Sequence, residues 1–384
     1  MRLGFDVRPF LRRETGVGIY LRNLLCGLAR LDRENEYLLF SASWKDRFPA
    51  SQVPPFANVR LVDRRLPVRI INRAWQRWRF PTFDRLVGAR LDLVHSPTPL
   101  ILPTRGKTII TVHDLFFMDF PARAGREAGR VFSRRAAGDF QRSDGIVTSS
   151  SFTRQELIRR FNIPPEKVRV IAPGLEERFF EDVPAAELED FRAARGLPTS
   201  FLLFVGAQEP RKNLPRLLEA LKILHLQGSG IPLVLAGPPG DDTPAIQAAA
   251  ARLGMERSLV VMGYLEPEAL PKLYRLATAL VLPSLCEGFG LPLVEAMAAG
   301  LPIAAAGNSA IPEAAGDAAV YFPAEDPEAI AGRIRLLLED AGLRAELSAR
   351  GKQRALGFSW DRAAAETLAF YRRTVGSSAG RPPR

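Results

Sequence analysis

The chain has little that would staple a fold, hold a metal or cross a bilayer. Only two of its 384 residues are cysteines, Cys26 and Cys286. Two cannot build a disulfide framework, and their separation lacks zinc-ligand spacing, which points to a reducing compartment. No apolar run approaches the roughly 18 residues needed to span a bilayer. The opening MRLGFDV reads as a strand and not as a signal peptide, so a cytoplasmic protein is expected. Walker, CxxC and HExxH motifs are missing. No repeat of about 20 to 50 residues occurs, which excludes solenoids. Histidine is scarce, with His95, His113 and His225 the three in the chain. Acidic residues are short in one half only. Residues 1–170 hold 31 of the 53 basic side chains but 16 of the 42 acidic ones, an excess of +15, and the remainder carries −4. Nucleic acid, an anionic membrane surface or an anionic substrate would each explain such a basic half, as would an arginine-rich sequence without a partner.

What is present is ample core material, 47% hydrophobic residues, arranged as short β-rich runs alternating with amphipathic stretches. Strands are expected at Arg2–Val7, Tyr37–Phe40, Val59–Leu61, Leu93–His95, Thr108–Val112, Ile146–Thr148 and Val168–Ile171. A second series follows at Phe201–Val205, Leu233–Ala236, Leu259–Met262, Ala279–Leu282, Pro302–Ala305 and Ala319–Phe322. Mostly apolar strands separated by helices mean parallel sheets covered on both faces. The fold class is therefore α/β, with two Rossmann-like domains. Between Ala172 and Ser200 the pattern breaks at a turn-rich segment with a short acidic helix, which reads as the connection. The domains are placed at 1–172 and 173–357. Ligands of open parallel sheets bind beyond the carboxyl ends of strands, so the expected site is a cleft lined by those loops.

Five segments carry candidate chemistry. In ATALVLPSLCEGFGLPLVEAM (277–297) a buried strand gives way to Glu287-Gly288-Phe289-Gly290, and Pro292 opens a helix with Glu295 in its first turn. Glu287 and Glu295 could line one cleft, with the N–H groups of Phe289, Gly290 and Leu291 between them at a helix N-terminus. Such a mixture of donors and acceptors suits a sugar or a ribose. Equally, Glu295 could simply complement the helix dipole while the glycines make a turn. In FLLFVGAQEPRKNL (201–214), Gly206 closes a strand, Arg211 and Lys212 follow, and Asn213 reads as an N-cap before Pro215. Two cations ahead of a helix fit a diphosphate, or else form a solvated pair. ETGVGIY (14–20) is a glycine turn entering a helix; it lacks the third glycine of the dinucleotide fingerprint, leaving a place for close backbone approach to a ligand. His113-Asp114 ends a strand, as does His95 in HSPTP; each is a site candidate or a hydrogen-bonded structural group. His225 reads as structural.

RRLPVRIINRAWQRWRF (64–80) is the distinctive piece of the basic half. Val68, Ile71, Trp75 and Trp78 recur at helical spacing, with Arg69, Arg73, Arg77 and Arg79 mainly elsewhere. Such a helix either lies in lipid headgroups or packs its stripe on the sheet. Arg123, Arg126, Arg130, Arg134 and Arg135 add a second basic face.

TGVGIY (15–20), HSPTP (95–99), TVHD (111–114), SSSFTR (149–154), GAQEPRKN (206–213) and the Glu287–Glu295 motif come in an order that resembles the retaining, nucleotide-sugar-dependent glycosyltransferases of family 4. The resemblance covers nearly the whole chain and is strongest to bacterial mannosyltransferases of lipopolysaccharide O-chains. It implies the GT-B fold, with an acceptor-binding first domain and a donor-binding second. It also implies a C-terminal helix, about 358–376, that crosses back onto the first domain. Gly16 and Gly18 would approach the donor diphosphate, and Arg211 and Lys212 would neutralise it beside Gly206. Glu295 would hold the ribose, Glu287 with the Phe289–Leu291 backbone the sugar, and His113 would face the anomeric carbon. No metal and no cofactor beyond the nucleotide-sugar donor is implied. The expected acceptor is a glycan or lipid-linked saccharide, and the expected surroundings are the inner membrane face, approached through Trp75, Trp78 and neighbouring arginines, with no nucleic acid. A nucleotide-sugar epimerase, a phosphorylase and a basic nucleic-acid-binding protein are the rival readings.

Overall fold

A computed structural model of the protein describes residues 1–8, 16–49, 52–119 and 130–377. The chain folds into two α/β units. One is Met1–Met118, Arg130–Gly174 and the C-terminal stretch from Ser359; the other is built on Leu175–Phe358.

The first unit holds β1 (Arg2–Asp6), β2 (Glu36–Ala42), β3 (Val59–Arg64), β4 (Leu93–Ser96), β5 (Lys107–Val112), β6 (Gly145–Thr148) and β7 (Val168–Val170). They form one sheet in the order β3-β2-β1-β4-β5-β6-β7. Every pairing is parallel, with Leu3 opposite Leu93 and Phe5 opposite His95 at its centre. Alternate residues of β1 and β2 feed two cores. Leu3, Phe5, Tyr37 and Leu39 pack under the helices Gly16–Leu31 and Trp360–Gly376, against Leu24, Leu28, Ala364 and Tyr371. Leu38 and Phe40 face the opposite way, against Ile71, Trp75, Phe83 and Leu86. Gly27 lets the first pair of helices touch, since a Cβ there would sit 3.0 Å from Ala364 Cβ and 3.1 Å from the Trp360 carbonyl. The C-terminal helix thus belongs to the first unit, and Ser359 caps it by accepting from Arg362 N–H.

Packing divides the basic helix, Val68–Trp78, in a way its sequence left open. Ile71 and Trp75 are buried, and the Trp75 indole donates to the Pro81 carbonyl at 2.7 Å while Arg8 stacks on its ring. Trp75 is therefore a core residue and not a membrane anchor: the sheet takes its apolar face and Pro81 takes its polar edge. Trp78, about one turn further on, is the last residue of the helix and is 70% exposed, with Ile70 and Phe80 also open. The described part of the second basic helix is Arg130–Arg142; Arg123 and Arg126 lie outside the described residues. No helix among the described residues is long and apolar enough to cross a membrane.

The second unit holds β8 (Leu202–Val205), β9 (Leu233–Ala236), β10 (Leu259–Gly263), β11 (Ala279–Leu282), β12 (Ile303–Ala306) and β13 (Ala319–Phe322), in the order β10-β9-β8-β11-β12-β13. All pairs are again parallel. The order runs outward from β8 in one direction and from β11 in the other. The strand order thus reverses between β8 and β11, the point at which such sheets form a crevice at the carboxyl ends of the strands. Gly237, at φ 146°, closes in on the loop after β8: a Cβ there would meet the Gly206 carbonyl oxygen at 2.0 Å. Only glycine fits that approach.

Candidate active site

The crevice of the second unit gathers the charged residues that the sequence singles out. After β8 the chain makes a short 3-10 turn, Pro210–Lys212, and after β11 it runs through Pro283 to Glu287. Glu287 is buried between the two loops. Its Oε1 accepts from Lys212 Nζ at 2.6 Å and from the Ser284 hydroxyl at 2.6 Å, and its Oε2 from Arg211 Nη1 at 2.9 Å. The Glu287 N–H in turn donates to Ser309 Oγ beyond β12. Arg211 also binds the Glu209 carboxylate at 2.8 Å and reaches the Cys286 carbonyl. Burial opposes ionisation of Glu287, but Lys212, Arg211 and Ser284 outweigh it and bring the carboxyl down to about 2. Burial pushes the Lys212 ammonium down, and Glu287 opposes that shift. Arg211 and Lys212 thus form no bare anion pocket; they are cations held in place by a carboxylate they share.

Asn213 has a different role from the expected N-cap. It adopts a left-handed backbone, φ 58°, which turns its side chain away from the first helical N–H groups. Its amide instead donates to the carbonyls of Pro283 and Ala324, tying the loops after β8 and β11 together. Gly206 lies beside Lys212, 3.6 Å from its Cε if a Cβ were present. Gly290, also left-handed at φ 96°, precedes the helix Leu291–Ala298, and Phe289 before it is buried edge-on against Phe358. The N–H groups of Phe289, Gly290 and Leu291 thus sit where that helix begins.

Glu295, one turn into that helix, stands in a different environment from Glu287. Its Oε2 accepts from the buried Tyr274 hydroxyl at 2.6 Å. Burial, aided by the charge of Glu176, raises its carboxyl to about 7 against the pull of Tyr274 and Arg178. The two glutamates are not equivalent walls of one pocket; one is fully ion-paired and the other meets a phenol.

The remaining candidates lie in the first unit. His113 follows β5, with Nδ1 3.2 Å from Ser149 Oγ and its ring edge-on to Tyr20 at 4.8 Å between centroids. Its Nε2 is buried without a hydrogen-bond partner among the described residues, and burial lowers the imidazole to about 4. Gly16 is exposed at the start of the helix Gly16–Leu31 and Gly18 is buried within it; Thr15 lies outside the described residues. His95 is structural: fully buried, it meets Thr111 Oγ1 at 2.7 Å and the Tyr371 hydroxyl, and burial, aided by His113, lowers it to about 3. His225 binds the Ile231 carbonyl.

Sequence reasoning missed Ser284, Ser309, Glu209 and Tyr274. Ser284 and Ser309 had a usable signal, since both follow strands β11 and β12. Tyr274 had none, being one apolar-pattern residue of the helix Leu270–Leu276.

Known proteins match this chain across both units. The family described as Glycosyltransferase Family 4 matches residues 15–179, and the one described as Glycosyl transferases group 1 matches residues 187–354. The chain is 28% identical to O-antigen chain mannosyltransferase B of Escherichia coli, over 97% of the chain and all of that protein. Among solved structures it resembles a sucrose-phosphate synthase from Thermosynechococcus elongatus, with TM-score 0.75, 20% identity and coverage of 98% and 100% of the two chains. It also resembles HepE of Anabaena in complex with UDP and glucose, with TM-score 0.72, 17% identity and coverage of 96% and 100%.

Proposed function

Because the chain belongs to the GT-B glycosyltransferases, with a family 4 domain followed by a group 1 domain, we propose that it transfers a hexose from a nucleoside diphosphate sugar with retention of anomeric configuration. Mannose is the favoured sugar and a hydroxyl of a glycan or lipid-linked saccharide the acceptor, in the synthesis of cell-surface polysaccharide. The mannosyltransferase relative, matched over its full length, supports the sugar and the setting.

One observation carries the chemistry: Arg211 and Lys212 meet at Glu287 in the crevice between β8 and β11. Cations fixed in a buried site stabilise charge that develops on a departing diphosphate, and need no reorganisation as it forms. In the transfer, the bond from the anomeric carbon to the donor phosphate oxygen breaks. A bond from the acceptor oxygen forms on the same face, and the acceptor proton passes to the leaving phosphate. Arg211 and Lys212 supply the neutralisation a metal would otherwise give, so chelator should leave turnover unchanged. Glu295 takes the ribose hydroxyls, and His113, kept neutral at working pH by burial, is the sugar-contacting residue that the family resemblance assigns to the first unit.

Our reading moves the membrane contact from Trp75 to the exposed side chains of the basic helix and the turn after it. Ile70, Trp78 and Phe80 are open, and Arg69, Arg73, Arg77 and Arg85 are exposed around them. Arginines about apolar tips complement an anionic lipid surface, where a lipid-linked acceptor would be met.

A thermal-shift screen against GDP, UDP, ADP and dTDP sugars tests the donor, since a ligand at about 100 times its Kd adds about 2.7 kcal/mol. Replacing both Arg211 and Lys212 by alanine should lower turnover about a hundredfold or more. Near-normal turnover in that variant would sink the assignment.

A further inference from the structure

Tyr274 is a fully buried phenol that the chemistry above does not use. It lies on the helix Leu270–Leu276, just before β11, and its ring meets Phe179 edge-on at 6.0 Å. Phe179 is itself held, because its carbonyl accepts from Arg275 Nη2 at 3.0 Å. The hydroxyl of this immobilised ring donates to Glu295 Oε2 at 2.6 Å. Glu295 is only partly buried, and its Oε1 makes no hydrogen bond to any described residue. One carboxylate oxygen is thus fixed by the protein and the other is left to accept.

We propose that Tyr274 is a positioning residue for the nucleotide: by holding Glu295 Oε2 it aims Oε1 at a ribose hydroxyl and favours the accepting form of the carboxylate. The inference rests on the reading of Glu295 as the ribose ligand and adds the group that makes it one. A hydrogen bond to the charged form favours that form. The other charged groups facing Glu295 are Glu176, which opposes ionisation, and Arg178, which favours it. Arg178 is itself shared between Glu176 and Glu268, at 3.2 Å from the latter. The phenol is the one direct hydrogen-bond donor to the Glu295 carboxylate among the described residues. Without it Glu295 gains protons at neutral pH and loses its fixed direction.

The test is calorimetric titration of the full chain with GDP, and in parallel with 2′-deoxy-GDP, from pH 6 to 8. The wild type should bind GDP more tightly as pH rises through about 7, where Glu295 ionises. Tyr274→Phe should weaken GDP about tenfold at neutral pH, the scale of a hydrogen bond to a charged group, and move the pH-dependent limb upward. Turnover at saturating donor should change about twofold or less if the effect lies in binding alone. The penalty for removing the 2′-hydroxyl should also shrink in the variant, whereas general damage to the pocket would weaken both nucleotides alike. Glu295→Gln separates the two levels of the argument. If it weakens GDP and flattens the pH dependence while Tyr274→Phe behaves as wild type, the role of Tyr274 is refuted. If Glu295→Gln itself binds GDP as wild type, the ribose reading falls and this inference falls with it.

Discussion

Lys212→Met is the sharpest perturbation of the crevice, because it removes one charge from a three-member cluster while keeping most of the side-chain volume. Lys212 and Glu287 are 7% and 6% exposed at the side chain, and their charged atoms are 2.6 Å apart. Removing one partner of a buried pair leaves the other charge uncompensated and costs about 3–5 kcal/mol. Arg211 Nη1 at 2.9 Å and Ser284 Oγ at 2.6 Å still hold Glu287, so the low end, about 3 kcal/mol, is expected. For a unit of this size that is a fall in melting temperature of about 6–12 °C. The double variant Lys212→Met with Glu287→Gln removes both charges, and should recover about half or more of the lost stability because no charge is left unpaired. Turnover should not recover with it, since the cation that meets the leaving phosphate is still missing. The assay is calorimetric melting beside initial rates at saturating donor. Recovery of both stability and turnover in the double variant would refute the argument, for Lys212 would then serve only to keep Glu287 folded.

Two further predictions follow from burial and from the two glutamates. Trp75→Ala should cost about 3–5 kcal/mol by emptying part of the first unit's core, whereas Trp78→Ala should change stability by about 0.5 kcal/mol or less and release the protein from vesicles of anionic lipid; sedimentation with such vesicles, with and without salt, checks the second effect. The pH dependence of stability should show opposite contributions. Glu295, raised to about 7, stabilises the fold fully below its unfolded value and loses that contribution as pH climbs through 7. Glu287, lowered to about 2, contributes above its unfolded value and loses it as pH falls toward 2. The melting temperature of Glu295→Gln should therefore lose part of the wild type's decline between pH 5 and 8, and an unchanged decline would remove Glu295 as its source.

Much of the fold was legible because parallel strands buried on both faces are nearly all apolar, and little else in a chain reads that way. ALVL at 279–282 and LVLA at 233–236 could only be interior strands, and all thirteen expected strands are found within three residues at either end. The helix Phe83–Val87 was not visible, being too short to show a period. Trp75 and Trp78 show a different limit. Both belong to one apolar stripe by spacing, yet one is core and the other is open. The stripe says which way a helix faces, and the packing around it says where burial ends; only the second is a property of the fold.

The crevice residues were legible for the same topological reason, and their states were not. Arg211, Lys212 and Glu287 could be placed because each follows a strand, and the order of the sheet brings the loops after β8 and β11 together. What sequence could not supply is that two glutamates on either side of one glycine turn end up with carboxyl groups near 2 and near 7. Burial raises both, and partners far away in the chain decide how much of that rise survives. Cations some 75 residues earlier bring Glu287 down, whereas Glu295 has a phenol on the helix before β11 that lowers it only in part and a carboxylate in the turn at 176 that raises it further. Environments that push like groups apart are how one site assigns them different work. Here the permanently ionised Glu287 fixes two cations and stays charged at any working pH. Glu295, close to its own titration point, is the one whose charge a ligand or a neighbouring hydroxyl can decide.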